Sequence, residues 1–73
     1  MAGKLPALKP KLVIKALMRN GFYLHHVKGS HHFLRKGNIN LVIPYHNKDM
    51  KPGMLHGIIR QCGLTVEEFL DLL

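Results

Sequence analysis

Two tight-turn signals, Gly29-Ser30 and Gly37-Asn38, punctuate a run of β-forming residues and leave little choice of local fold. Phe22 to Val27 contains β-formers and no breaker. His31 to Lys36 is the return strand, and Ile39 to Ile43 (INLVI) reads as a third, more buried strand that Pro44 ends. The expected product is a three-stranded antiparallel meander.

The pattern on either side is helical. Pro10 suits the first turn of a helix, where its missing N–H costs nothing. Val13 and Leu17 lie four apart, flanked by Leu12 and Ala16, and Asn20-Gly21 is a good stop. The spacing predicts a helix over 10–20. After the polar loop YHNKDMKP, Pro52 opens a second helix with Met54, Leu55, Ile58, Ile59 and Cys62 as its buried stripe, and Gly63 closes it. Thr65-Val66-Glu67-Glu68 has the form of a capping box, with Leu64 and Phe69 placed as a hydrophobic staple. A short terminal helix follows. The fold class is α+β, in the order helix, three strands, helix, short helix. Two main helices can cover one sheet face and leave the other open to a partner.

At 73 residues the chain makes one domain, near the lower limit for a fold held by its core alone. Residues 1–9 read as a loose basic lead-in and 65–73 as the terminal helix. With no Trp and only five Phe or Tyr, the core must be mostly aliphatic. The single Cys62 cannot form an internal disulfide, which argues against a secreted, stapled mini-protein. No apolar run approaches the ~20 residues needed to span a bilayer, and the N-terminus lacks the apolar core of a signal peptide. A cytoplasmic protein with no membrane partner is the expectation. Eleven Lys and Arg face four Asp and Glu, and three of those acids (Glu67, Glu68, Asp71) fall in the last seven residues. Residues 1–66 therefore carry eleven positive charges and one negative, a net of +10. That imbalance favours a polyanionic partner, most often nucleic acid; the alternative is a merely soluble basic surface.

Four of the six histidines lie in HHVKGSHHF, residues 25–33. Neighbours on a regular strand point to opposite faces, so neither His25 with His26 nor His31 with His32 can hold one metal ion from such a strand. No Cys pair and no helical H-x-x-x-H spacing is present, so no metal and no cofactor is expected. The pairs are internal and embedded in a strand pattern, unlike an expression tag. His25, His26 and His56 read as solvated or core-edge residues. His31 and His32 differ: they directly follow a Gly-Ser turn and lie among Lys28, Arg35 and Lys36. An imidazole on a phosphate-binding surface can move a proton near neutral pH. RNA carries its own nucleophile, the 2′-OH. Cleavage then needs a base for that hydroxyl, an acid for the leaving 5′-oxygen, and cations to steady the charge on phosphorus. With a two-residue loop, Lys28 pairs with His31 and Val27 with His32. Phe22, Leu24, His26, His31 and Phe33 then share one face, unless a one-residue bulge flips one strand against the other. Which of His31 and His32 faces the open surface stays undecided at this level.

Val27-Lys28-Gly29-Ser30-His31-His32, then Val42-Ile43-Pro44-Tyr45-His46, then Lys48-Asp49-Met50-Lys51-Pro52-Gly53-Met54-Leu55, and last Ile58-Ile59-Arg60-Gln61-Cys62-Gly63-Leu64 resemble the successive signatures of the HicA toxins. The resemblance runs in order from about residue 11 to residue 64. It implies a double-stranded-RNA-binding-domain-like α-β-β-β-α fold. It also implies a small endoribonuclease that cleaves messenger RNA and arrests translation, with a HicB-type antitoxin that blocks its active site. By this resemblance His31 is the key histidine, Gly29 shapes its turn and His32 is a secondary candidate. His46 falls where the family often has a histidine; here it reads as a residue ordering the loop into the second helix. The chain departs from the pattern in its lead-in and in TVEEFLDLL, whose acids are expected to shield the basic face or support oligomer contacts.

The expected roles follow. His31 is the general acid/base, backed by His32. Lys28, Arg35 and Lys36 hold RNA phosphates and Ser30 donates to a phosphate oxygen. Lys48, Lys51 and Arg60 extend the basic surface. Two other functions compete with this one: a non-catalytic RNA-binding module, and a purely protein-binding role in which the basic face receives an acidic partner.

Overall fold

The computed structural model describes residues 5–73. Its order is α1 (Pro10–Arg19), β1 (Tyr23–Lys28), β2 (His31–Lys36), β3 (Ile39–Pro44), α2 (Pro52–Gln61) and α3 (Val66–Leu70). The α-β-β-β-α layout with an extra terminal helix stands as expected. The strands pair antiparallel in the order β1-β2-β3. Both connecting turns have two residues. Gly29 and Gly37 take positive φ angles of 59° and 56°, while Ser30 and Asn38 do not. Positive φ at the first turn position alone is the type II′ pattern, whose twist matches that of the flanking strands.

Burial decides which sheet face the helices cover. Leu34, Leu41 and Ile43 are buried and lie on one side of the pleat. They form one core with Val13, Ile14, Ala16 and Leu17 of α1 and with Leu55, Ile58 and Ile59 of α2. Two expected core residues are instead exposed: Leu12 at 47% and Met54 at 47%. Each begins its helix's apolar arc on the solvent side, and in α1 the arc continues through Ile14 instead. Phe22 is buried at the corner before β1 rather than opening the strand. On β1 itself, Leu24 and Val27 sit on the helix side yet stay exposed, so the edge strand overhangs its cover.

Two terminal segments are more integrated than the sequence suggests. Within 5–9, Leu8 is buried in the core and its carbonyl accepts from Met50 N at 2.8 Å. Lys9 Nζ also approaches Asp49 Oδ1 at 3.9 Å. The part of the lead-in within the described residues is therefore packed rather than loose; residues 1–4 lie outside them. At the other end, the capping box forms as expected. Thr65 Oγ1 accepts from Glu68 N at 3.1 Å, and Thr65 N donates to Glu68 Oε1 at 2.8 Å. Phe69 is fully buried, and Arg19 Nη1 donates to the Leu72 carbonyl at 2.7 Å, clipping the end to α1. The acidic terminus thus belongs to the helical layer and does not lie over the open sheet face. Among the described residues, no helix is long and apolar enough to cross a membrane.

Truncating a large, fully buried aromatic typically costs about 3–5 kcal/mol. A domain of this size has roughly 4–11 kcal/mol in total. Phe69→Ala is therefore expected to remove a large share of the stability. Urea unfolding checks this; a loss below about 1 kcal/mol would mean that α3 is only appended to the core.

Candidate active site on the open sheet face

The face that the helices leave free is built from alternate residues of each strand. Cross-strand partners share a face, so three rows can be read from the register. Lys28, His31 and Pro44 form the row beside the first turn. His26, Phe33 and Val42 form the next, and Tyr23, Arg35 and Asn40 the last. The expected pairs Lys28 with His31 and Val27 with His32 are both present.

The pairing slips by one residue between Leu24 and His26, which leaves His25 as a bulge. The slip has two effects. It turns Leu24 and the preceding Phe22 away from the face that holds His26, His31 and Phe33, so the expected five-residue face is split. It also brings the His25 and His26 rings to the same side, with Nδ1 to Nδ1 at 2.7 Å, where one ring donates and the other accepts. The opposite-face argument does not hold at the bulge, because the strand is not regular there. Among the described residues no three His, Cys, Asp or Glu side chains gather as a multidentate metal site would require.

The two histidines after the turn have different surroundings. His31 is exposed on the open face, opposite Lys28. Its strand end is held on both sides: the Gly29-Ser30 turn closes against β1, and Tyr45 N donates to the Ser30 carbonyl at 2.6 Å across β3. His32 pairs with the fully buried Ile43 and so points to the helix side. Its ring stacks on Tyr45, with centroids 4.5 Å apart and planes at 22°. Its Nδ1 is buried without a hydrogen-bond partner. The alternation that sequence left undecided therefore puts His31 on the open side.

The expected cations divide in the same way. Lys28 and Arg35 share the face with His31, and Gly29 and Ser30 form its rim. Lys36 does not join them. It has the parity of Leu34, and its Nζ donates to Asn20 Oδ1 at 3.2 Å and lies 5.9 Å from the Phe22 ring centre. Lys48 and Lys51 are exposed in the segment that leaves β3 beside the His31 turn. There His46 Nδ1 accepts from Lys48 N at 3.2 Å, a local bond that orders the loop. Arg60 is exposed on α2, in the helical layer and away from the open face. His26, Phe33, Asn40 and Val42 belong to the open face but carried no motif; a correct register is the signal that finds them. Cys62 is no rival nucleophile: burial pushes its thiol above the ordinary range, with the Lys36 charge only opposing this, so the reactive thiolate is disfavoured.

No curated protein matches the chain. The family model described as the HicA toxin of bacterial toxin–antitoxin matches residues 11–64, which run from α1 through the meander to the end of α2 and include His31 with its turn. Since that match covers well over half of the 73 residues, the chain belongs to the family of HicA toxins.

Proposed function

We propose that the chain is a metal-independent endoribonuclease, an mRNA interferase whose general acid/base is His31. The observation that carries this reading is the placement of His31. Its imidazole stands exposed on the uncovered sheet face, at a strand end held by two neighbours and directly opposite a lysine.

The chemistry needs little more. His31 takes the proton from a ribose 2′-OH, and the oxygen attacks the adjacent phosphorus in line with the leaving 5′-oxygen. Lys28, across the strand pair, steadies the extra negative charge on the phosphate oxygens. A proton must reach the leaving oxygen, and both the Lys28 ammonium and the His26 imidazole share that face. Ser30 lies at the turn, where its hydroxyl can donate to a phosphate oxygen. Arg35, Lys48 and Lys51 lengthen the positive track. His32, turned inward on Tyr45, holds the strand end rather than the proton. DNA lacks the attacking hydroxyl and is not a substrate by this route.

A toxin of this family works against a partner antitoxin. By this reading a HicB-type antitoxin lies over the basic open face and excludes RNA from it. The same face, resting on a helical layer, suits a double-stranded-RNA-binding-like scaffold turned to cleavage.

The test is cleavage of an end-labelled single-stranded RNA in excess EDTA. His31→Ala is expected to cut roughly a hundred to ten thousand times more slowly than the native chain while still binding RNA. His32→Ala is expected to stay within about tenfold of native, since it removes packing rather than the base. Native-like cutting by His31→Ala would contradict the assignment. Binding without cleavage by the native chain would leave an RNA-binding module.

A second test concerns the phosphate contact. Replacing Lys28 with Ala should weaken RNA binding across all sequences and lower the salt slope by about 0.7, the value for one phosphate of a single strand. An unchanged slope would remove Lys28 from the phosphate track.

A further inference from the structure

Next to His31, on the same face, is a depression of about 250 Å³. His25, His26, Phe33, Arg35, Asn40 and Val42 line it, with Leu34 and Leu41 of the same strands. We infer that this depression is a nucleobase subsite of the enzyme and that it takes guanine. The inference rests on the RNA-cleaving reading and adds which part of the RNA is read, and by what.

Three features point to a base. The first is the aromatic wall. His26 and Phe33 stack with centroids 4.2 Å apart and planes 8° from parallel, and His25 packs edge-on against His26 at 4.9 Å. Unpaired RNA bases stack on such side chains. The second is apolar exposure: Val42 is 46% exposed beside that wall, and none of the described elements covers it. The third is position. Phe33 lies two residues along β2 from His31, roughly 7 Å at the usual strand rise. A base seated there brings the neighbouring phosphate toward the imidazole.

The polar groups choose among the bases. Arg35 Nε donates to Asn40 Oδ1 at 2.7 Å. That bond uses the one acceptor of the Asn40 amide nearest the guanidinium and holds the guanidinium in place. It leaves the Asn40 NH₂ and the terminal N–H groups of Arg35 as donors, and no carboxylate lines the depression. An edge of donors wants a base edge of adjacent acceptors. Guanine offers O6 and N7 side by side, the usual bidentate target of arginine. Adenine places its amino group where guanine has O6, setting donor against donor, and uracil has no two adjacent acceptors. Cytosine has such a pair in N3 and O2 on its exposed edge, but its single ring covers less of the His26–Phe33 wall than a purine does. This moves Arg35 from the positive track to a base contact, and leaves the phosphates to Lys28, Lys48 and Lys51.

The experiment uses five 2′-fluoro pentanucleotides of sequence UUNUU, which lack the internal nucleophile, with N as guanine, adenine, uracil, cytosine or abasic. Affinity is read by fluorescence anisotropy on the full chain. Guanine is expected to bind roughly 5- to 150-fold tighter than adenine, the usual worth of one bidentate contact. Asn40→Ala, which frees Arg35, should bring guanine down to the affinity of adenine. Arg35→Lys, which keeps the charge but loses the planar fork, should do the same. If the native chain binds all five alike, the base subsite is overturned and the phosphate surface stands. If Asn40→Ala and Arg35→Lys keep the guanine preference, the reader lies elsewhere and the inference is again overturned. If none of the five binds, the RNA reading fails with it.

Discussion

Leu34, Leu41 and Ile43 meet Val13, Leu17, Leu55 and Ile59 on one side of a three-stranded sheet, and the rest of the molecule depends on that contact. Strand side chains alternate, so burying these three forces their neighbours outward. His31, Phe33 and Arg35 stand on the far side because Leu34 does not. A one-residue slip would expose the leucines and bury an arginine and a histidine. Each large aliphatic side chain withdrawn from water contributes roughly 1.5–3 kcal/mol, so the register is strongly held. The position of the His31 imidazole is thus set by hydrophobic burial on the opposite face.

The same constraint explains why two adjacent histidines differ. His32 lies on the buried side but at the end of the sheet, where the helices no longer cover it. Tyr45 supplies the missing cover by stacking on its ring. His31, on the uncovered side, stays exposed. Turns of two residues at both ends of β2 carry this parity into β3 and into β1 as far as the slip at His25. Gly29 and Gly37, both at positive φ, are what make those short turns possible.

Much of the fold was legible in the sequence, because its signals are local. Pro10 and Pro52 mark helix starts, the two glycine turns mark strand ends, and the Thr65 capping box forms with both its hydrogen bonds. Features set by tertiary contacts were less legible. Leu12 and Met54 fit the helical period but are exposed, whereas Leu8 carries no periodic signal, yet it packs into the core while its carbonyl accepts from Met50 N. The His25 bulge has no glycine to announce it. Lys36 looks equivalent to Arg35 in sequence, yet alternation sends it to the other face and toward Asn20. At the site, the turn and His31 were found from motif and resemblance, while Asn40 and Val42 emerge only from the register. The core also extends past the family-matched segment, since Phe69 lies beyond residue 64 and is fully buried.

The proposed function requires RNA to lie on the uncovered sheet face, against His31. The most direct measurement is an NMR titration of the isotope-labelled chain with a short 2′-fluoro RNA, following backbone amides and histidine ring signals together. The account predicts that the largest changes fall on His26, Lys28, His31, Phe33 and Arg35, with α1 and α2 nearly silent. Changes concentrated on Lys11, Lys15 and Arg60 of the helical layer, with the His31 ring unmoved, would contradict it.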